Sequence, residues 1–296
     1  MKKALDGLPP GWNTRRLAPS LGLEVRDLFL PDLDSAGIAK IRQLLLAFRV
    51  LVFRRQAISP AQHVAFARQF GPLEGENPLL SASDAFPELI QLHSSAQRKG
   101  AENLFHSDTA FQEKPSMGSI LRCVICPEVG GDTIFCNMVQ AYDGLPDEVK
   151  AQIDGMVAVN DVGVALRKKK PAEGAAAAQQ LERYRPVEHP VVVTHPETGE
   201  SILYVNEIHT THLSNYREVL GADWGMDTPT RIRALFDMLV RQAKIPEYQV
   251  RVHWEPDTIV FWDNRAVQHY AVSDYFPSER HMMRATIRGD VPIRLR

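Results

Sequence analysis

Cysteine is scarce: a chain of 296 residues has three. Three thiols are too few for a disulfide framework, so a reducing, cytoplasmic setting is expected. An excess of one charge is missing too. The 34 Lys and Arg stand against 36 Asp and Glu, a formal net charge of −2. That balance gives no footprint for nucleic acid or for an anionic membrane surface. No run approaches the ~20 apolar residues of a membrane span. The opening Met1-Lys2-Lys3-Ala4-Leu5-Asp6 has no apolar core of a signal peptide. Internal repeats and low-complexity linkers are absent as well. One domain over 1–296 is therefore expected, long enough to bury a sizeable core.

What is present reads as many short strands with a few helices. Leu21 to Val25 opens as a strand, and Val50 to Phe53 is apolar throughout. Between them Asp34 or Ser35 caps a helix to about Phe48, with Ile38, Ile41, Leu44, Leu45 and Phe48 on one face. Ser59-Pro60-Ala61-Gln62 is a helix start with a capping box, and Gly71-Pro72 follows its end near Phe70. Residues 73–104 look irregular and suit a pocket loop. Residues 161–185, with Arg167 to Lys170 and a run of alanines, suit a lid.

Further strands are expected over 118–126, 133–135, 191–193, 202–205 and 282–288, and helices over 145–153 and 228–243. Val250 to Trp254 and Thr258 to Trp262, joined by Glu255-Pro256-Asp257, read as a hairpin. Cys123 and Cys126 lie three apart on a strand, which predicts opposite faces and a packing role for both. The pattern suggests a mainly β fold with peripheral helices, a β-sandwich or jelly roll.

The chemistry concentrates at two places. In Phe105-His106-Ser107-Asp108 an extended backbone aims His106 and Asp108 the same way. A second imidazole, His269, follows Trp262-Asp263-Asn264-Arg265 far along the chain. Two imidazoles and one carboxylate cover one face of an octahedral metal and suit non-haem Fe(II) and oxygen chemistry. On the last strand, alternation puts Arg280, Met282, Arg284 and Thr286 on one face. Two inward arginines need anionic partners. His63, on the helix after Ser59, reads as structural.

These segments, with Pro127-Glu128-Val129-Gly130-Gly131-Asp132-Thr133 between them, resemble the TauD/TfdA (taurine dioxygenase) family over about Leu21 to Pro292. The resemblance implies a double-stranded β-helix and an Fe(II)- and 2-oxoglutarate-dependent dioxygenase that uses O2 and releases succinate and CO2. It implies that His106, Asp108 and His269 hold the iron. Arg280 would pair with the distal carboxylate of 2-oxoglutarate, and the Thr133 hydroxyl would add a hydrogen bond. Arg284 would grip the acid group of a small or medium anionic substrate: a sulfonate, alkyl sulfate, aryloxyalkanoate or amino-acid derivative. A homodimer or homotetramer is implied too.

The pocket departs from the taurine enzyme. Asn77 stands where that enzyme has a histidine, and His209 where it has a phenylalanine, which argues against taurine as substrate. His212 has no assigned role. Two other readings compete. A cupin-like metalloenzyme without cosubstrate would have more histidines and lack the Thr133 and Arg280 pair. A non-catalytic β-barrel binding protein would not need an intact ligand set.

Overall fold

A strand that is apolar at every position needs cover on both faces, and that requirement organises the molecule. The computed structural model describes residues 1–75, 81–83, 85–100, 104–163, 182–221 and 227–295. In chain order its strands are β1 (Asn13–Arg16), β2 (Leu23–Arg26), β3 (Val50–Phe53), β4 (Ser81–Ala82), β5 (Leu89–Ser94), β6 (Gly118–Ile125), β7 (Thr133–Asn137), β8 (Val157–Asn160), β9 (Val187–Pro190), β10 (Val192–Thr194), β11 (Ser201–Leu203), β12 (Thr210–Leu213), β13 (Gln249–Val252), β14 (Ile259–Asp263), β15 (Val267–Ala271) and β16 (Arg280–Ile287). An eight-stranded sheet runs β1-β2-β3-β14-β6-β16-β5-β4. Two three-stranded sheets run β13-β7-β15 and β12-β8-β9, and β10 pairs with β11.

The inner face of the large sheet meets the β13-β7-β15 sheet. Val50, Val52, Leu121, Val260, Trp262 and Met282 pack there against Phe135, Val250, Val252 and Val267. The alternate residues Leu51, Phe53, Ile120, Phe261, Met283, Ala285 and Ile287 face outward. Helices Ser35–Phe48 and Pro60–Arg68 cover them with Ile41, Leu44, Leu45, Phe48, Val64, Phe66 and Ala67. On the far side, helix Thr228–Arg241 supplies Ile232, Phe236, Leu239 and Val240 to a third cluster.

The helix starts follow local chemistry. Asp34 accepts from the Gly37 N–H at 2.8 Å. Ser59 and Gln62 close the capping box in both directions. Helix Ser35–Phe48 stops at Arg49, whose backbone is left-handed at φ 63°. Among the described residues no helix is long and apolar enough to cross a membrane.

Several expectations change. Val250 to Trp254 and Thr258 to Trp262 do not pair with each other. β13 joins β7, while β14 joins β3 and β6. The reversal at 255–257, with Asp257 at φ 61°, is a corner between sheets. The stretch 73–104 contains β4 and β5, and β5 pairs with β16. Gln91 and His93, at a half-exposed sheet margin, hide its alternation. Strand β1 and helix Met138–Asp143 are additions. Most of the lid expected at 161–185 lies outside the described residues.

Cys123 and Cys126 are not on opposite faces. The pairing of β6 with β16 slips between His281 and Met282, so Val124 is an extra, unpaired residue. A bulge resets the alternation, and both thiols pack in the inner core, with Cys126 at its rim.

His63 is buried, and its Nε2 lies 3.1 Å from the Ile120 carbonyl. A carbonyl only accepts, so Nε2–H donates. Burial pushes the imidazole pKa down to about 4 from 6.5. The unfolded chain then takes up this proton before the folded one does, so stability is lost as pH falls from 6.5 towards 4. The contribution is on the order of 3 kcal/mol. Urea unfolding of the metal-free protein against pH should show this limb, flattened by about that amount in His63→Gln. An identical slope in the variant would remove His63 as its source.

Candidate metal centre

The two ends of the metal motif meet through the backbone. His106 and His269 form an isolated antiparallel bridge, with His106 N–H to His269 O at 3.1 Å and His269 N–H to His106 O at 2.8 Å. This is one bridge, not the extended strand expected for 105–108, because Asp108 already enters a turn. Thr109 follows at φ 53°. Ser107 turns away as alternation requires, and its hydroxyl donates to the Val267 carbonyl.

Asn264 holds the turn in shape. Its Oδ1 accepts from the Asp108 N–H at 2.7 Å, and its Nδ2 donates to the Asp108 carbonyl at 2.9 Å and the Ser116 carbonyl at 3.0 Å. The result is a buried group of His106, Asp108 and His269 whose ligand atoms all lie within 4.8 Å of one another. Both Nε2 atoms face the same oxygen, Asp108 Oδ1, at 3.9 Å from His106 and 4.0 Å from His269. The Leu104 carbonyl accepts from His106 Nδ1 at 2.9 Å, which leaves the Nε2 lone pair directed inward.

The electrostatics suit a cation. Burial acts to raise the Asp108 pKa, but Arg284, His269, His106 and a Ser119 hydrogen bond together hold it below the ordinary carboxylate range. Ser119 Oγ donates to Asp108 Oδ2 at 2.8 Å. Burial, then repulsion from His106, pushes His269 down to about 3. At neutral pH the group therefore offers an ionised oxygen and a neutral His269 nitrogen, the forms that bind metal.

Arg284 lies within this group. Its Nη1 donates to Asp108 Oδ1 at 2.6 Å, and both side chains are buried. Four positions earlier on the same strand, Arg280 sets its guanidinium 5.9 Å over the Trp254 ring and 5.8 Å over the Tyr275 ring. Trp254 Nε1 donates to Thr133 Oγ1 at 3.0 Å. The Thr133 hydroxyl proton thus stays available for another acceptor. Gly131, at φ +70°, lies against this pair: a Cβ there would sit 3.3 Å from both Arg280 Cδ and the Tyr275 ring.

His209 is buried with its ring centroid 6.3 Å from that of His106 and 5.0 Å from that of Phe111. Among the described residues its Nδ1 has no hydrogen-bond partner, and burial, then His106, push it down to about 3. Phe111 continues to Tyr184, so one wall beside the triad is a row of rings. His212 is exposed and bonded to Thr211, away from the group. Asn77 lies outside the described residues. Asn264, Ser119 and Trp254 were not singled out by sequence. A turn asparagine, a strand serine and a core tryptophan carry no signal of their own.

A family model described as taurine catabolism dioxygenase TauD, TfdA family matches residues 13–286. An alkylsulfatase of Acinetobacter baylyi is 33% identical, over 94% of this chain and 85% of its own. An alpha-ketoglutarate-dependent sulfate ester dioxygenase of Pseudomonas putida is 32% identical, over 94% and 89%. The crystal structure of a taurine dioxygenase from Burkholderia xenovorans superposes with a TM-score of 0.78 at 33% identity, covering 96% of this chain and 91% of that one.

If Asn264 fixes the ligand turn, Asn264→Ala should weaken Fe(II) or Mn(II) binding by about 10- to 100-fold, as lost supporting hydrogen bonds do. Anaerobic titration calorimetry, with circular dichroism to check folding, measures this. A folded variant with unchanged affinity would show that the bridge alone positions Asp108.

Proposed function

The chain belongs to the TauD/TfdA family of alpha-ketoglutarate-dependent dioxygenases, and from that premise we propose that it hydroxylates an aliphatic carbon of a small or medium anionic substrate. The enzyme uses Fe(II), 2-oxoglutarate and O2. The observation that carries the reading is the convergence of His106, Asp108 and His269 beside the Arg280, Thr133 and Trp254 group. The donor set fits a non-haem iron: one buried carboxylate and two imidazoles. When bound, iron and 2-oxoglutarate supply O2 activation coupled to oxidative decarboxylation, giving succinate, CO2 and a hydroxylated product.

The chain's own residues bind and orient. Arg280 pairs with the distal carboxylate of 2-oxoglutarate, as a guanidinium is shaped to do. The Thr133 hydroxyl, oriented by the Trp254 indole, donates to the same carboxylate. Arg284 takes the substrate's acid group. His209, Phe111 and Tyr184 line the apolar side and keep water from the reacting carbon. Sulfonates, alkyl sulfates, aryloxyalkanoates and amino-acid derivatives are the candidate substrates. The similarity to an alkylsulfatase and a sulfate ester dioxygenase supports the anionic head. We take the whole chain as one catalytic unit on a double-stranded β-helix; the packing of the eight-stranded sheet on β13-β7-β15 supports this.

Succinate released from 2-oxoglutarate with Fe(II) and O2, across a panel of these acids, tests the reading. Substrate-stimulated succinate is expected, and His106→Ala and Arg280→Ala should each lower it by about 100-fold or more. Undiminished turnover in either variant would reject that residue's role. No visible charge-transfer band from anaerobic Fe(II) plus 2-oxoglutarate would reject the cosubstrate assignment.

A further inference from the structure

Tyr275 is half-buried in the segment 272–279 that leads into β16. The Arg280 guanidinium lies 5.8 Å from its ring centroid. The Tyr275 hydroxyl donates to Ser94 Oγ at 3.1 Å. Ser94 ends β5 and is the residue directly opposite Arg280 in the ladder. The ring is thus tied to the cross-strand partner of the arginine that it holds.

Several stretches of chain shape the space around the ring. A Cβ on Gly131 would sit 3.3 Å from it, and the Gly131 N–H donates to Asp274 Oδ1 at 2.8 Å. A Cβ on Gly100 would sit 2.6 Å from the Tyr275 hydroxyl, closer than unbonded carbon and oxygen approach. The Gly100 carbonyl accepts from Ser273 Oγ at 3.1 Å. The Tyr275 carbonyl accepts from the Ser278 N–H at 2.8 Å. Two glycines therefore leave room for this ring, and hydrogen bonds on both sides of it fix the segment that carries it. A loop aromatic that only covered apolar surface would need none of this.

The arginine gives the construction a purpose. A guanidinium is attracted to the faces of aromatic rings. Arg280 has two within reach, and of these Trp254 is deep in the core while Tyr275 stands on the outer side. An arginine that is free to turn loses rotamer freedom when it grips a carboxylate; one already held loses less.

We propose that Tyr275 is a positioning residue for cosubstrate binding: its ring holds the Arg280 guanidinium in the orientation that receives the distal carboxylate of a 2-oxo dicarboxylate. The inference rests on the dioxygenase reading above, which gives Arg280 that carboxylate, and adds the residue that acts through it.

Anaerobic titration of the Fe(II)-loaded enzyme tests it, with the visible charge-transfer band as readout. Two acids are compared: 2-oxoglutarate, and 2-oxovalerate, which has the same chelating end and carbon number but no distal carboxylate. Tyr275→Leu fills the space without a π face, and Tyr275→Phe keeps the ring but drops the tether to Ser94. Tyr275→Leu should weaken 2-oxoglutarate by about 10-fold and 2-oxovalerate by less than about 2-fold, and Tyr275→Phe should recover most of the loss. Equal weakening of both acids would mark a general structural role and overturn the proposal. So would unchanged 2-oxoglutarate affinity in Tyr275→Leu, or a Tyr275→Phe enzyme as weak as Tyr275→Leu. No band from the unsubstituted enzyme with 2-oxoglutarate would strike the cosubstrate reading itself, and the proposal with it.

Discussion

A carboxylate buried this completely must find positive or donating partners on every side, and the charge on Asp108 sets that demand for the whole centre. Its partners come from four separate stretches of chain. Arg284 arrives on β16, Ser119 on β6, Asn264 from the turn after β14, and the two imidazoles through the bridge between 106 and 269. Apart from His106, two residues away, none of these contacts is local in sequence. The site exists only when β6, β14, β15 and β16 are all in register. That is why the fold around it is built from strands buried on both faces.

The supporting layer follows from the same demand. Asp263, next to Asn264, is also buried and held below the ordinary carboxylate range, with burial opposed by Arg265 and His195. His195 Nε2 lies 2.9 Å from Asp263 Oδ2, and Arg265 Nη2 donates to the same oxygen at 2.7 Å. Arg265 Nη1 also reaches Glu197, which ties the 195–199 turn to the loop that carries Asn264. One buried acid faces the centre and the other anchors the loop behind it. The loop between β14 and β15 is short and polar because nearly every side chain in it has a bonded partner.

Local chemistry in the sequence was sufficient for the helix starts at Asp34 and Ser59 and for the doubly buried strand Val50–Phe53. The pairing of His106 with Asp108 was legible too, although their backbone is a bridge and a turn. Thr133 and Arg280 needed the family resemblance, since a threonine and an arginine in strands are ambiguous alone. Partner choice was not legible. The turn at 255–257 announces a reversal, but nothing in it says that β13 and β14 join different sheets. The bulge at Val124 was equally hidden, because an unpaired residue depends on the neighbouring strand.

Strand β16 shows how closely function and stability are tied. Its inner residues Arg280, Arg284 and Thr286 share the face on which Arg284 bonds Asp108, with Met282 in the inner core. Its outer residues Met283, Ala285 and Ile287 belong to the layer under the helices. A slip of one residue against β6 would exchange the two sets. Two guanidinium groups would then enter an apolar layer, and Met283 and Ala285 would face the triad. The cost of burying unpaired arginines there exceeds anything that packing could return. The pairing of Arg284 with Asp108 therefore does two things at once. It neutralises the Asp108 carboxylate, and it penalises every register but the one that turns both arginines to the inner face.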